Sequence, residues 1–268
     1  MKIIEMEITP SMARSWLQSV NVKNRNMSRG TVSRYASDMA SGRWMQTHQN
    51  AIAFYDDGTL ADGQHRLAAI VSADVTVPMF VATGLGKESV QAIDQGRSRN
   101  MADVMKLSGV IGDGAYYPNM IVAMMNVIRN AEINAARAAS SSEMAAAIEK
   151  MRDGINFANT SLTKAQGPIR NAYVRAGLCT AYYFVDTPKL ERFAAVLCSG
   201  MPEEKIDQTA VVVRNRFLFS TFSTGNERIS HYKVLLRFIK AYDQGQIMTV
   251  AKKTSELTYY TGAFDNQI

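Results

Sequence analysis

The hydrophobic pattern of this chain changes its period near residue 109, and this change limits the folds that the chain can adopt. Before that point, short apolar runs typical of strands alternate with short helical patterns. After Tyr116 the strand patterns nearly vanish, and long helical stretches rich in alanine, methionine and isoleucine follow. The sequence therefore predicts an α+β protein, with a small mixed α/β domain at residues 1–109 and an all-helical domain at residues 110–268.

The predicted elements follow from this periodicity and from Gly, Pro and Ser positions that start or stop helices. Ser11 is expected to cap the first helix, and Pro78 to mark an edge or a bulge in the last strand. Strands are predicted at residues 3–8, 51–55, 59–61 and 75–82. Helices are predicted at residues 12–20, 31–41, 64–72, 87–93, 101–107, 118–139, 142–151, 167–185, 188–197, 207–222 and 227–244.

Composition excludes several classes of protein. The chain has 268 residues, and no apolar run in it approaches the ~18 residues of a membrane span. The amino terminus lacks the pattern of a signal peptide, so we expect a cytoplasmic protein without a membrane partner. Cys179 and Cys198 are expected to be reduced thiols, and the three histidines lie too far apart for a zinc site.

Two basic blocks favour a polyanionic partner such as DNA. Residues 9–55 carry a net charge of +5 and residues 205–253 a net charge of +6. The alternative is that these cations lie on helical faces solvated by water and bind no polyanion. The cations expected to contact DNA phosphates are Arg29, Arg34 and Arg43 in the first block, and Arg214, Arg216, Arg228, Lys233, Arg237 and Lys240 in the second.

The run Asp62-Gly63-Gln64-His65-Arg66 joins a strand-like segment to a helical one. Free N–H groups and the positive end of the helix dipole at such a joint attract anions, and phosphate is the natural candidate. Asp62 is expected either to cap the helix or to act as a base or a ligand of a divalent ion. His65 is a candidate phosphate donor and, because histidine titrates near neutrality, a candidate catalytic residue together with Asp62 and Asp94. Arg66 is expected either to clamp a phosphate or to pair with Asp62 or Asp94.

A second polar cluster runs from Asp94 to Arg99. It is expected to be either a plain helix-ending turn with exposed cations or a second wall of the phosphate site. In the second case Asp94 is the catalytic carboxylate, and Arg97 and Arg99 contact phosphate. The run from Gly84 to Ser89 imitates a Walker A loop, but Glu88 stands where the magnesium-binding hydroxyl belongs.

These patterns, in this order, resemble the ParB/sulfiredoxin-like superfamily, and within it the bacteriophage and mobile-element branch that carries the DGQHR motif. The resemblance covers residues 3–109, and the helical remainder resembles no family that we can name. The segments that carry it are TVSRYASDMASGRW (31–44), LADGQHRLAAI (60–70), TVPMFVATG (76–84) and AIDQGRSRNMADVM (92–105).

The resemblance implies a small α/β nucleotide-binding core. In ParB proteins the corresponding loop binds and hydrolyses CTP while the protein clamps DNA, in sulfiredoxins it binds ATP, and related free-serine kinases use it for phosphoryl transfer. Gln64 replaces the catalytic cysteine of sulfiredoxins, which excludes their chemistry. Carried over by position, residues 63–66 would contact phosphate, and Asp62 or Asp94 would be a general base or hold Mg²⁺.

We therefore expect a protein that binds a nucleoside triphosphate, ATP or CTP, with Mg²⁺ and acts on or along DNA. The helical domain would supply DNA contact, dimerisation or both. One alternative is a phosphotransferase that modifies a DNA base or a small hydroxyl metabolite, since phosphoryl transfer needs mainly positioning and charge stabilisation. The other is a non-catalytic DNA-binding regulator.

Overall fold

The computed structural model describes residues 1–21, 26–87, 99–112, 118–133, 137–219 and 224–265, and the chain forms two compact units. Unit 1 comprises residues 1–99, 136–142 and 266–268, and unit 2 comprises residues 100–135 and 143–265. The described regular structure is a small sheet, which lies in unit 1, and many helices, so the protein is α+β. The division predicted at residue 109 falls inside unit 2, after its first helix.

Among the described residues, unit 1 contains four strands: β1 (Lys2–Ile8), β2 (Ile52–Tyr55), β3 (Leu60–Asp62) and β4 (Val77–Leu85). Their order in the sheet is β1-β4-β2-β3. β4 pairs antiparallel with β1 and parallel with β2, and β3 runs antiparallel to β2. Pro78 lies opposite Glu7 of β1, before the pairing of β4 with β2 begins at Val81. Its missing N–H therefore costs no bond to β2.

Three helices of unit 1, α1 (Pro10–Ser19), α2 (Arg29–Ala40) and α3 (Gln64–Ala73), share one core with the sheet. The expected cap at Ser11 is wrong: the Thr9 Oγ1 accepts from the Met12 N–H at 3.2 Å, and Pro10 takes the first helical position. Ser28 caps α2, so this helix begins before the expected residue 31. The core residues are Ile8, Ile52 and Met79 of the sheet, Ala13 of α1, Met39 of α2 and Leu67 of α3.

Residues 137–142 return to unit 1 and satisfy a buried carboxylate there. The Asp38 Oδ1 in α2 accepts hydrogen bonds from the hydroxyls of Ser140 and Ser142, both at 2.8 Å. Arg43 lies 3.5 Å from the same oxygen. Because a buried charge needs such partners, a segment 102 residues further along the chain is part of the packing of unit 1.

The remaining described helices include one that the sequence analysis missed. Gly154 falls between the helices predicted at residues 142–151 and 167–185, but it lies inside α7 (Arg152–Ser161), and a Cβ there would approach the Cys179 carbonyl oxygen to 2.5 Å. Close helix packing, not a turn, therefore requires this glycine.

Apart from α7, the described α-helices after α3 are α4 (Met101–Leu107), α5 (Pro118–Ile133), α6 (Ser141–Lys150), α8 (Ala172–Ala181), α9 (Thr187–Ser199), α10 (Gln208–Leu218) and α11 (Gly225–Asp243).

Several expectations for the helical part are settled by these bounds. The helix expected at residues 167–185 is a 3-10 turn at Gly167–Arg170 followed by the shorter α8. The helix expected at residues 87–93 falls almost entirely on residues outside the described ranges. Cys179 and Cys198 are free thiols, as expected. In the described part of the chain, no helix is both long and apolar enough to cross a membrane.

Candidate functional site

A polar pocket of about 500 Å³ lies in unit 1, where the first turns of α2 and α3 meet the 3-10 turn His48–Asn50. Four of the five residues of the Asp62–Arg66 run line it; Gln64 does not. The lining residues are Asn26, Ser28, Thr31, Tyr35, Gln49, Asn50, Asp62, Gly63, His65 and Arg66. Two helix N-termini with hydroxyl, amide and guanidinium groups between them form an environment that favours anions.

Gly63 sets the geometry of the joint between β3 and α3. Its φ is 112°, a conformation that side chains with a Cβ rarely adopt. A Cβ at this position would lie 3.2 Å from both the Cα and the Cγ1 of Ile52 in β2. The joint therefore needs glycine for its backbone angle and for its approach to the sheet, and the chain passes the pocket without a side chain.

Asp62 and Arg66 form an ion pair at the pocket wall. The Arg66 Nη2 donates to the Asp62 Oδ2 at 2.8 Å and to the Ala51 carbonyl at 3.0 Å, while the Gly63 N–H donates to the Asp62 Oδ1 at 2.7 Å. Of the alternatives for Arg66, the pair with Asp62 is thus the one observed. Asp62 accepts bonds from the joint and from Arg66, so it orients the guanidinium. Within the described residues, nothing accepts a hydrogen bond from the buried Nε of Arg66.

His65 connects the two helix N-termini that border the pocket. Its Nε2 accepts a hydrogen bond from the Ser28 N–H at 2.9 Å, so neutral His65 carries its proton on Nδ1. The Ser28 Oγ in turn accepts from the Thr31 N–H at 3.3 Å and from the Thr31 Oγ1 at 3.1 Å. His65 was expected to donate to a phosphate; in this structure its Nε2 accepts from the Ser28 N–H and helps to position the start of α2.

Gln64 is turned away from the pocket. It is buried, and its Oε1 lies 3.5 Å from the Asn21 Nδ2 as an acceptor. Gln64 was expected to contact phosphate, but it is not among the residues that line the pocket; on the first turn of a helix, His65 and Gln64 point to different sides, and His65 lines the pocket.

Six lining residues were missed by the sequence analysis, namely Asn26, Ser28, Thr31, Tyr35, Gln49 and Asn50. The signal for two of them was present, because Ser28 followed by Thr31 three residues later is a helix-capping pattern. Tyr35 is held between neighbours: its ring meets Trp44 edge-on at 5.3 Å, and the Arg34 guanidinium carbon lies over the same ring, 5.4 Å from its centroid. The turn with Gln49 and Asn50 carried no recognisable motif.

The proposed second wall of the site is not described. Asp94 and Arg97 lie outside the described residues, and Arg99 is exposed and not among the residues that line the pocket. The described part of the chain contains no group of three or more His, Cys, Asp or Glu side chains able to hold a metal ion. Asp62 is the carboxylate of the pocket, so the residues fit an Mg²⁺ carried mainly by ligand phosphates, not a cage built from protein.

The cations of the first basic block differ in their surroundings. Arg29 is exposed at the start of α2, close in sequence to the pocket residue Ser28. Arg34 lies over Tyr35, and Arg43 pairs with Asp38. A DNA contact through Arg43 would compete with that buried pair, so Arg29 and Arg34 are the better candidates in this block.

Of the six cations of the second block that are expected to contact DNA, all in unit 2, four donate to backbone carbonyls and two are exposed. Arg214 donates from its Nε to the Leu197 carbonyl at 3.1 Å, at the end of α9. Arg228 and Lys240 are exposed, and Arg228 lines a pocket of about 450 Å³ with Asn119 and Asn171. The other three donate to carbonyls of the carboxy-terminal segment: Arg216 to Ala251, Lys233 to Ser255 and Arg237 to Lys252.

No protein-family model matches this chain, and no curated protein and no solved structure was found to match it. The similarity to the ParB/sulfiredoxin-like superfamily therefore stays an expectation that rests on the four sequence segments quoted above. The pocket, the Asp62–Arg66 pair and the contacts of the cations are observations on this chain itself.

Proposed function

We propose that this protein binds a nucleoside triphosphate in the pocket of unit 1 and acts on or along DNA, as a ParB-like protein of the bacteriophage or mobile-element type. The observation that supports this most is that the DGQHR run, singled out by its sequence, lines a polar pocket with a second helix N-terminus. A volume of about 500 Å³ is in the ordinary range for small-ligand sites.

The donors of the pocket suit phosphate oxygens. Gly63 lets the ligand approach the backbone closely, and the hydroxyls of Ser28 and Thr31 lie at the N-terminus of α2. The unpartnered Nε of Arg66 is a buried donor that an anion would satisfy, and Asp62 holds the guanidinium in place. An Mg²⁺ ion bound with the nucleotide would neutralise phosphate charge, and Asp62 is the side chain of the pocket that would reach it.

The phosphotransferase alternative has less support from the geometry. Asp62 is ion-paired with Arg66, and such a pair favours the ionised carboxylate over the protonated acid that a general base must become. Nucleotide binding, with Asp62 as an orienting group, needs no such protonation. In a regulator without nucleotide, a DNA backbone phosphate would have to take the Arg66 donor, and DNA binding that needs no nucleotide would favour that alternative.

We expect Arg66→Ala to lower nucleotide affinity tenfold to a hundredfold, because a charge-assisted hydrogen bond contributes about 1.5–3 kcal/mol. The measurement is calorimetric titration with ATP, CTP and GTP plus Mg²⁺, with and without DNA. Arg66→Lys keeps the charge but not the planar fork, and should also bind weakly. Tyr35→Phe, which removes one hydroxyl of the lining, should change affinity less.

Arg170→Ala is the matched control, since Arg170 is an exposed cation of unit 2. It should bind nucleotide like the unchanged protein, and thermal unfolding of each variant checks that it is folded. If no nucleotide binds to the unchanged protein under any of these conditions, the proposed function is wrong.

A further inference from the structure

After α11 the chain continues without regular structure, and one stretch of it lies against basic side chains of unit 2. Residues 249–256, the strap, contain no helix or strand. Lys233 on α11 contacts the carbonyl of Ser255, and Arg237, four residues further along the helix, contacts that of Lys252. The strap therefore runs antiparallel to this part of α11.

Three cations hold the strap through backbone carbonyls. The Arg237 Nη2 donates to the Lys252 carbonyl at 2.7 Å, the Lys233 Nζ to the Ser255 carbonyl at 2.8 Å, and Arg216 of α10 to the Ala251 carbonyl. These strap acceptors are neutral, so they bring no negative charge to Lys233 and Arg237. Within the described residues, the buried Nε of Arg237 has no acceptor. The strap thus accepts from the Arg237 Nη2 but leaves the Nε of the same guanidinium without an acceptor among the described residues.

The strap has little apolar anchorage of its own. Val250 is 58% exposed, and Lys252, Lys253, Ser255 and Glu256 are exposed as well. The chain beyond it is fixed: Tyr259 stacks on Phe184 at 4.8 Å, Phe264 is buried, and the Thr261 N–H donates to Glu132 at 2.7 Å. The strap can therefore leave its cations while the chain on its far side stays packed.

The charge around the strap is strongly positive. Lys252 and Lys253 of the strap add to Arg216, Lys233 and Arg237 beneath it, and Glu256 is the one acid within residues 249–256. At the neighbouring His231, burial is the main cause that lowers the pKa; the hydrogen bond to the Glu227 backbone and the charge of Glu227 raise it, and the charges of Arg216 and Lys253 lower it. A polyanion would relieve this repulsion, whereas the strap adds to it.

We propose that the strap is a displaceable cover over a phosphate-binding surface formed by Arg216, Lys233 and Arg237, and that the backbone of duplex DNA replaces the strap carbonyls there. This rests on the DNA partner in the proposed function, not on its nucleotide site. The strap keeps the three cations oriented and shielded until an acceptor of higher charge arrives. Sequence-independent binding follows, because backbone phosphates carry no base information.

The test uses the full chain, a fluorescent DNA duplex and trypsin. We expect DNA to accelerate tryptic cleavage after Lys252 and Lys253 severalfold, as followed by mass spectrometry. In anisotropy titrations, the triple variant Arg216→Gln, Lys233→Gln, Arg237→Gln should bind DNA at least tenfold more weakly. Its slope of log affinity against log salt, between about 50 and 200 mM, should be shallower by about 2–3, as three lost phosphate contacts require.

The control triple Lys164→Gln, Arg170→Gln, Lys205→Gln removes the same charge from exposed positions of unit 2. It should keep the steep slope and the response of the strap to DNA. The proposal is overturned if both triples weaken binding equally, if DNA slows or does not change cleavage of the strap, or if DNA does not bind at all. If the triple variant Arg216→Gln, Lys233→Gln, Arg237→Gln does not fold, Arg237→Lys takes its place. It should bind DNA more weakly, while its slope of log affinity against log salt stays nearly unchanged because the charge is kept. Nucleotide titration decides the proposed function separately.

Discussion

Gly63→Ala is expected to lower the free energy of unfolding of unit 1 by about 2–5 kcal/mol and to weaken ligand binding at the pocket. The φ of 112° strains any residue with a Cβ, and the new methyl group would lie 3.2 Å from the Cα of Ile52. That contact is to backbone in an interior strand of the sheet, which cannot rotate away. If the chain shifts to relieve the backbone strain or the close contact with Ile52, the Asp62–Arg66 ion pair at the pocket wall shifts with it.

Tryptophan fluorescence during denaturant unfolding reports this change, because both tryptophans, Trp16 and Trp44, belong to unit 1. Gly58→Ala is the matched control: Gly58 also has a positive φ, 80°, but a Cβ there meets nothing within 4 Å. Gly58→Ala should lower the free energy of unfolding by about 1–2 kcal/mol, because it introduces only the backbone strain of a positive φ. Equal losses in the two variants would show that the approach of Gly63 to Ile52 is unimportant.

Asp207→Asn is expected to destabilise unit 2 by about 3 kcal/mol. The Asp207 side chain is fully buried and accepts from Arg192 at 2.9 Å, from the Tyr242 hydroxyl at 2.7 Å and from the Glu203 and Glu204 N–H groups at 2.9 and 2.8 Å. An amide cannot accept all of these bonds and leaves Arg192 with less compensation. Far-UV circular dichroism follows the unfolding, because the described part of unit 2 is helical.

The same site predicts how stability depends on pH. Burial alone would raise the pKa of Asp207, but its hydrogen bonds with Arg192, the backbone and Tyr242 outweigh this and hold the pKa well below 3.8. A lowered pKa means that the stabilisation is complete above the unfolded value and is lost as the pH falls below it. Asp207→Asn should therefore be less sensitive to acid between about pH 5 and 2 than the unchanged protein.

Glu203→Gln is the control for this prediction. Glu203 lies 3.9 Å from the same arginine, but its side chain is 86% exposed. It should cost well under 1 kcal/mol, because solvent screens such a pair. A loss as large as that of Asp207→Asn would mean that the charge of Arg192, not the burial of its partner, determines the effect.

Local patterns were enough to predict much of unit 1 and the centre of its site. The alternation of apolar residues predicted its strands, and the Asp62–Arg66 run was predicted to join a strand to a helix, as it does between β3 and α3. The residue types at the same joint also singled out Asp62, His65 and Arg66, and all three line the pocket. These features depend on neighbours in the sequence, which is why they can be read from it.

Features that depend on distant partners could not be predicted. The amide residues Gln49 and Asn50 become pocket residues only because of how their turn packs, and the Ser28–His65 bond joins residues 37 positions apart. Glycine is typical of a break between helices, but Gly154 lies inside α7, which packs closely against Cys179 at this point. Arg216, Lys233 and Arg237 look like solvated cations until the segment that accepts their hydrogen bonds is seen.

The bonds from Ser140 and Ser142 to Asp38 have a consequence for how this protein is made. On the ribosome, the amino-terminal strands and helices emerge first, yet a partner of their buried carboxylate arrives only with residue 142. Unit 1 therefore finishes folding after α4 and α5 have already left the exit tunnel. A fragment that ends at residue 109 would keep Arg43 as a neighbour of Asp38 but lack both hydroxyls, so we expect it to be less stable than a fragment that extends to residue 142.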